Sequence, residues 1–287
     1  TSSAAVRTGS DGDGVVRYGY DLETAFTNLD PGKSTNTCDK NVWTYLYDSI
    51  VREGPGDLRP GLAERWDIAP DGSSVTLHFR PGSKYHDGSS LTADTVRQGL
   101  EYNAKNVVLG SVFGRVASYE VIDDLTLKVN LKDPYPLRFL FDLTGQPGMV
   151  VAPSAFGTAD ATPVGAGPFR FVSYRPGASL VLEKVPGHWE SSEYDIDGIE
   201  YRQTAVGNPS VTALRAGDVD VVRFTAELLP AVIEAQPLFR AAPALAGMLD
   251  DLDPAPVLQL AVAAPSIARI GNLQMPLQQI RSGLQAQ

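Results

Sequence analysis

The side chains most able to do chemistry in this 287-residue chain are three histidines and one cysteine. They are His78, His86, His188 and Cys38, and no two of them stand at the three- to five-residue spacing typical of a helical metal site. The sequence contains no Gly-x-Ser-x-Gly elbow and no Gly-x-x-x-x-Gly-Lys-Ser/Thr loop. We therefore expect no catalytic residues, no metal, no cofactor and no enzymatic activity.

Two short motifs imitate catalytic or cofactor-binding patterns. His86 stands beside Asp87 as in a dyad, but Gly88 follows, so a turn with a local hydrogen bond is the favoured interpretation. Gly165-Ala166-Gly167 resembles a phosphate-binding loop only weakly, because the residues after it alternate like a strand and not like a helix. Small residues there indicate close approach of the backbone to a packed neighbour or to a ligand.

Short polar side chains form two further candidate binding segments. Ser34, Thr35, Asn36 and Thr37 are a dense group of donors and acceptors after the first predicted strand, and loops at strand ends commonly carry binding groups. Thr144 and Gln146 follow the apolar run 137–141 and could line the same cleft. A solvated loop remains the alternative for each segment.

The net charge of the chain limits the classes of molecule that it can bind. Lys and Arg total 24 against 34 Asp and Glu, which gives a net charge of −10. A surface this acidic repels nucleic acid and anionic lipid, so neither is expected as a partner. With 43% hydrophobic residues the chain can bury a sizeable core, and its single cysteine cannot form an internal disulfide.

Strands with tight turns alternate with short helices along the chain, which predicts a mixed α/β fold. Alternating apolar residues and turn residues such as Asp71-Gly72 carry the strand predictions. In chain order we predict a strand at 15–20, a helix that is capped by Asp39, buries Val42, Leu46 and Ile50 and is ended by Gly54-Pro55-Gly56, and a hairpin at 66–80. A helix capped by Thr92, a hairpin at 119–132, a hairpin at 169–182 around Arg175-Pro176-Gly177, and a helix from Asn208 to Gly217 follow.

Three blocks resemble the family 5 extracellular solute-binding proteins of ABC transporters. The first, Pro163-Val-Gly-Ala-Gly-Pro-Phe followed by a hairpin and Pro186-Gly-His-Trp189, is similar to the family's Pro-Val-Gly-Thr-Gly-Pro-Tyr run and its Asn-Pro-x-Tyr-Trp ending. The second begins at Gly61-Leu-Ala-Glu-Arg-Trp66 and includes Tyr85-His-Asp-Gly88. The third, Ala213-Leu-Arg-Ala-Gly-Asp-Val-Asp220, is similar to the family's Ala-Leu-x-x-Gly-Glu-Val-Asp.

The resemblance implies a fold and a division of the chain. We expect a periplasmic-binding-protein-like type II clamshell, mainly its first lobe, with most of the second lobe missing. Residues 1–14 are interpreted as a flexible tether, 15–230 as the first-lobe domain, and 231–287 as a return segment that packs on the first lobe. The return segment rests on Ala255-Pro-Val-Leu-Gln-Leu260, a weaker match to the family's pattern.

The resemblance also implies a function. We expect a monomeric solute-binding component that captures peptides or similar small solutes and delivers them to an ABC permease. It would be exported and tethered to the membrane as a lipoprotein in the full-length protein. The turn at Gly165, Ala166 and Gly167 would then border the ligand cleft, together with the two polar segments named above. A secreted hydrolase acting on peptides or glycans is the alternative.

Overall fold

The computed structural model describes residues 14–21, 26, 28–33, 39–106, 109–205, 208–223 and 259–262. These residues divide into two compact units. Unit 1 draws on Thr1–Ala25, Val172–Lys184 and Glu190–Gln287, and unit 2 on Phe26–Phe171 and Val185–Trp189. The first strand pairs with a strand near residue 200 and not with the segment that follows it. The division of the chain into a first-lobe domain over 15–230 and a return segment stays a prediction.

The described residues contain five α-helices and twelve strands. The helices are α1 (Lys40–Leu46), α2 (Ala93–Ala104), α3 (Gly110–Phe113), α4 (Pro136–Asp142) and α5 (Asn208–Ala216). The strands are β1 (Val15–Asp21), β2 (Val51–Glu53), β3 (Leu58–Pro60), β4 (Ala63–Ile68), β5 (Ser74–Phe79), β6 (Val116–Asp123), β7 (Thr126–Leu131), β8 (Phe169–Arg175), β9 (Ser179–Lys184), β10 (Gly198–Thr204), β11 (Val221–Arg223) and β12 (Gln259–Val262). The predicted hairpins and the helices that follow Thr92 and Asn208 are all present.

Unit 1 is built on a six-stranded mixed sheet in the order β12-β11-β1-β10-β9-β8. β1 lies between β10 and β11 and runs parallel to both. Helix α5 connects β10 to β11 along the chain. β12, which lies in the predicted return segment 231–287, pairs antiparallel with β11. The rest of that segment and the predicted tether, apart from Gly14, lie outside the described residues, so both boundaries stay predictions.

Unit 2 contains the antiparallel sheet β4-β5-β7-β6 with α2 packed on one face. Val75, Leu77 and Phe79 alternate into the core, as the period-two pattern predicts. α2 begins with a capping box in which Thr92 and Thr95 exchange hydrogen bonds, and it buries Val96 and Leu100. No helix in the described ranges is long and apolar enough to cross a membrane.

Helix α1 is shorter than its sequence pattern predicts. The spacing of apolar residues favours a helix through Ile50, yet the helix ends at Leu46 and Tyr47 is already extended. Backbone pairing explains the early end, since the amide of Ile50 donates to the carbonyl of Gly148 at 3.0 Å and β2 begins at the next residue. Asp39 stands at the N-cap position without a capping bond; its carboxylate accepts the amide of Asn28 at 3.2 Å instead.

Candidate functional site

The small residues of the Gly165–Gly167 turn lie against the last residues of α1. A Cβ atom at Gly165 would stand 2.1 Å from the carbonyl oxygen of Leu46, and one at Gly167 would stand 2.3 Å from that of Tyr45. The amide of Gly167 also donates to the Leu46 carbonyl at 3.0 Å. All three turn residues are buried, Ala166 included. Close backbone packing therefore accounts for these residue types, and ligand contact by them stays a prediction.

His86 fastens this turn to the loop that precedes α2. Its Nε2 lies 3.0 Å from the carbonyl oxygen of Gly167, and its Nδ1 accepts the amide of Gly165 at 3.4 Å. The backbone closes the same link, because the amide of His86 donates to the Gly165 carbonyl at 2.9 Å. A carbonyl only accepts, so Nε2 carries the proton and the ring is neutral.

The surroundings of His86 favour this neutral form. Burial lowers the pKa of His86; the bond to the Gly167 carbonyl opposes the shift and the charge of Arg170 adds to it. The adjacent carboxylate of Asp87 is turned to other partners, Ser89 and Ser154. The sequence-based interpretation of a turn with a local role for His86 therefore fits the geometry, and these contacts do not form a catalytic dyad.

A second histidine reaches the same turn from the segment 185–189 of unit 2. The side chain of His188 is 7% exposed and forms a hydrogen bond with the backbone of Ala166. Burial lowers its pKa to about 4; the Asp48 carboxylate opposes the shift, and the charge of Arg52 adds to it. His86 and His188 therefore both hold the turn as neutral rings.

Trp189 is anchored on a buried carboxylate beside these residues. Its indole N–H donates to Asp48 Oδ2 at 3.0 Å, while Arg52 donates through Nε and Nη2 to Oδ1 at 2.9 and 2.7 Å. The guanidinium of Arg80 lies 4.1 Å from the centre of the indole ring and that of Arg52 lies 4.8 Å away. The charge of Asp48 is thus compensated by an ion pair, and the arginines add cation–π attraction to the ring.

Sequence reasoning missed the Asp48 cluster. The Asp48–Arg52 spacing of four residues is a detectable signal, although both residues lie beyond Leu46, where α1 ends. No sequence pattern indicates that Trp189 joins them across 141 positions. Local spacing therefore indicates Asp48 and Arg52 but not their third partner, Trp189.

The remaining candidate residues are half-buried or lie outside the described ranges. Gln146 is half-buried and its side-chain amide donates to the carbonyl of Pro31. Thr144 is also half-buried, and its hydroxyl donates to the carbonyl of Phe141 at 2.8 Å. Ser34, Thr35, Asn36 and Thr37 lie outside the described residues. Gln146 thus contacts the segment that leads into this predicted loop.

Among the described residues, no group of three or more His, Cys, Asp or Glu side chains could hold a metal ion. Around the turn, His86 is bonded to the backbone, and Asp48 is bonded to Arg52 and to Trp189. These contacts hold the backbone of the turn and of the segments beside it in place by hydrogen bonding and charge compensation.

The family profile described as bacterial extracellular solute-binding proteins, family 5, middle region, matches residues 57–246. The chain belongs to this family. The match includes both the His86 loop and the Gly165–Gly167 turn, so the hydrogen bonds between them join two blocks of family sequence. The family consists of binding proteins and not of enzymes.

Curated family members are 26% to 29% identical to this chain over the aligned residues. The glutathione-binding protein GsiB of Pectobacterium atrosepticum is 29% identical over 214 residues, which covers 72% of this chain and 41% of that protein. GsiB of Escherichia coli K12 is 26% identical and matches over 67% of this chain and 39% of its own length. The chain therefore spans about two fifths of the length of these relatives.

Solved structures place the fold among the type II periplasmic binding proteins. The binding protein AgaA of A. tumefaciens R10, solved with agropinic acid, superposes with a TM-score of 0.69 at 25% identity, covering 77% of this chain and 46% of AgaA. DppA of Helicobacter pylori, solved with the peptide STSA, gives a TM-score of 0.65 at 21% identity, covering 77% of this chain and 48% of DppA. The expected α/β fold class is confirmed.

Proposed function

We propose that this protein is part of the solute-binding component of an ABC importer and captures peptides or similar small solutes outside the membrane. The match to the family profile over residues 57–246 carries the proposal. It is supported by the packed turn of unit 2, where two blocks of family sequence are hydrogen-bonded to each other. The solute would pass to an ABC permease, and the exported protein would act as a monomer tethered as a lipoprotein.

The relatives define the chemistry of the solutes to test. GsiB is named for binding glutathione, AgaA was solved with agropinic acid, and DppA was solved with a tetrapeptide. These ligands are small, carry carboxylates and contain amide or amine groups. We propose that Thr144 and Gln146, together with Ser34–Thr37, supply hydrogen bonds to such groups, since short polar side chains at loop positions suit this role.

Native mass spectrometry of the purified 287-residue chain tests the proposal first. A co-purified small molecule of one to five residues, or an opine-like compound, is the expected result. Titration calorimetry with glutathione, agropinic acid and the peptide Ser-Thr-Ser-Ala then measures affinity, at concentrations that detect a Kd of about 1 mM, or about −4 kcal/mol. The absence of both a co-purified solute and any heat of binding would contradict the proposal.

A turnover measurement distinguishes a binding protein from the alternative, a secreted hydrolase. Each probe is incubated with the protein and recovered, and a binding protein returns it chemically unchanged. Release of amino acids from glutathione or from the tetrapeptide at a rate that scales with protein concentration would favour the hydrolase instead. Boiled protein serves as the control.

A further inference from the structure

Arg80 of unit 2 is a cation that the described residues do not neutralise. Its Nε donates to the carbonyl of Gly61 at 3.1 Å, and its backbone amide donates to that of Leu62 at 3.3 Å. Within the described ranges, its terminal nitrogens Nη1 and Nη2 have no hydrogen bond and no ion pair. The side chain is only half-buried, and both terminal nitrogens reach solvent. Four of the five N–H donors of this guanidinium therefore stay available to a ligand.

The guanidinium of Arg80 is held in place by the indole ring of Trp189. The guanidinium carbon lies 4.1 Å from the centre of the ring, and the ring is itself fixed, because its N–H donates to Asp48 Oδ2 at 3.0 Å. With Nε bonded to Gly61, the edge that carries Nη1 and Nη2 is left free. Such an edge matches the two oxygens of a carboxylate, and a group fixed before binding loses little freedom when the ligand arrives.

The charges around Trp189 leave one positive charge over. Asp48 supplies a single carboxylate, and Arg52 already pairs with it at 2.7 Å. One carboxylate against the two guanidinium groups of Arg52 and Arg80 leaves one cation, and that cation is Arg80. The chain as a whole carries a net charge of −10, so this cation is not part of a generally basic surface. An arginine that is fixed in place but not paired suits a bound anion.

The Arg80–Trp189 pair lies next to the turn that is predicted to border the ligand cleft. His188, the residue before Trp189, forms a hydrogen bond with the backbone of Ala166 in that turn. Trp189 is 37% exposed, so a solute can reach the ring and the guanidinium packed on it. The pair therefore combines access, a fixed donor edge and a positive charge.

We propose that Arg80, held on the Trp189 ring, binds the carboxylate group of a small solute through Nη1 and Nη2. Arg52 keeps the charge of Asp48 compensated, and Asp48 keeps the indole ring in position beneath Arg80. The assignment of the carboxylate to a transported solute rests on the proposed function; the binding of a carboxylate by Arg80 does not.

Titration of the wild-type chain with sodium acetate tests the site directly, with acetate replacing chloride so that the ionic strength stays constant. The readout is the indole N–H resonance of Trp189 in ¹⁵N-labelled protein, identified as the one of three indole signals that Trp189→Phe removes. We expect a saturable shift with a Kd on the order of 10 mM. Acetamide has the same shape without the charge and should cause no shift. Absence of a saturable shift with acetate would overturn the proposal.

Two variants of Arg80 locate the binding group. Arg80→Gln removes the cation, and we expect acetate affinity to fall about tenfold; Arg80→Lys keeps the charge without the fork, and we expect a loss of about threefold. Arg59→Gln is the matched control, because the Arg59 side chain is 54% exposed in the same unit and lies 3.7 Å from Asp57. It should bind acetate as the wild-type chain does. Wild-type affinity in both Arg80 variants would overturn the proposal.

Calorimetry with Ser-Thr-Ser-Ala and with its C-terminal amide tests the solute part, since the amide lacks the only carboxylate of this peptide. We expect the amide to bind the wild-type chain about tenfold more weakly, and both forms to bind Arg80→Gln equally. Equal affinity of the wild-type chain for the two forms would overturn the solute part. If the wild-type chain binds none of the solute probes, the proposed function and the solute part both fail, whereas the acetate titration still decides whether Arg80 binds a carboxylate.

Discussion

His86 Nε2 lies 3.0 Å from the carbonyl oxygen of Gly167, a residue 81 positions further along the chain. The same ring accepts the amide of Gly165 through Nδ1. One neutral imidazole therefore satisfies a donor and an acceptor of a turn whose glycines leave no space for a side chain. The His86 ring therefore links two loops of unit 2 by hydrogen bonds.

Replacing His86 should destabilise the protein. His86→Leu leaves the Gly165 amide and the Gly167 carbonyl without their partner in a buried place, and we expect a loss of about 2–3 kcal/mol in the free energy of unfolding at pH 7. Urea unfolding followed by circular dichroism measures it. His78→Leu is the matched control, because His78 bonds to Asp67 and Arg65 on the exposed side of the sheet and should cost less. Equal losses for the two variants would contradict the role of His86.

The two turn glycines should tolerate no added methyl group. In Gly165→Ala and Gly167→Ala the new Cβ would stand 2.1 and 2.3 Å from backbone oxygens, so the end of α1 must shift. We expect each change to cost about 2 kcal/mol or more in unfolding free energy. Gly145→Ala is the control, since its nearest atom is 3.9 Å from the added Cβ. If Gly167→Ala is as stable as the control but loses solute affinity, the glycine contacts ligand and its packing role is wrong.

Asp48 and Trp189 should be energetically coupled. Trp189→Phe removes the indole donor from a buried carboxylate, and Asp48→Asn removes the negative charge of the group that accepts this hydrogen bond. A double-mutant cycle of unfolding free energies should give a coupling of about 1–2 kcal/mol. Additive single changes, with a coupling near zero, would show that the hydrogen bond contributes nothing to stability.

His188 should make the protein sensitive to mild acid. Its pKa in the folded protein is about 4, below the usual 6.5, so the folded state favours the neutral ring. The resulting stability is present above pH 6.5 and is lost as the pH falls toward 4, where the unfolded state takes up a proton first. Between pH 7 and pH 4.5 we expect this residue to account for about 2 kcal/mol of lost stability.

Unfolding free energies of His188→Asn, measured across the same pH range, check this contribution. The variant is expected to be less stable at pH 7 and to lose less on acidification than the wild-type chain. His86 contributes in the same direction, because burial also lowers its pKa, so a residual slope is expected. A variant with the wild-type slope would show that His188 does not titrate differently in the folded and unfolded states.

The sequence by itself determined the local structure and the family. Alternation placed Val75, Leu77 and Phe79 on the buried side of β5, and Asp71-Gly72 marked the turn that precedes it. Thr92 marked the start of α2. These features depend on neighbours within a few residues, whose side-chain periods and turn preferences are visible in the sequence. The ordered blocks around His86 and Gly165 likewise indicated the family before any fold was known.

Only the tertiary structure decided which of these segments meet. The apolar spacing favoured a helix through Ile50, but pairing with Gly148 ended α1 at Leu46, because backbone bonds to a distant segment outweigh a weak local preference. The partners of Asp48 and His86 lie 141 and 81 positions away. Such contacts depend on how whole elements pack, and no local spacing encodes them. From the sequence, Gly165 and Gly167 could allow close approach either to a ligand or to a packed neighbour. In the structure, both glycines pack closely against the end of α1.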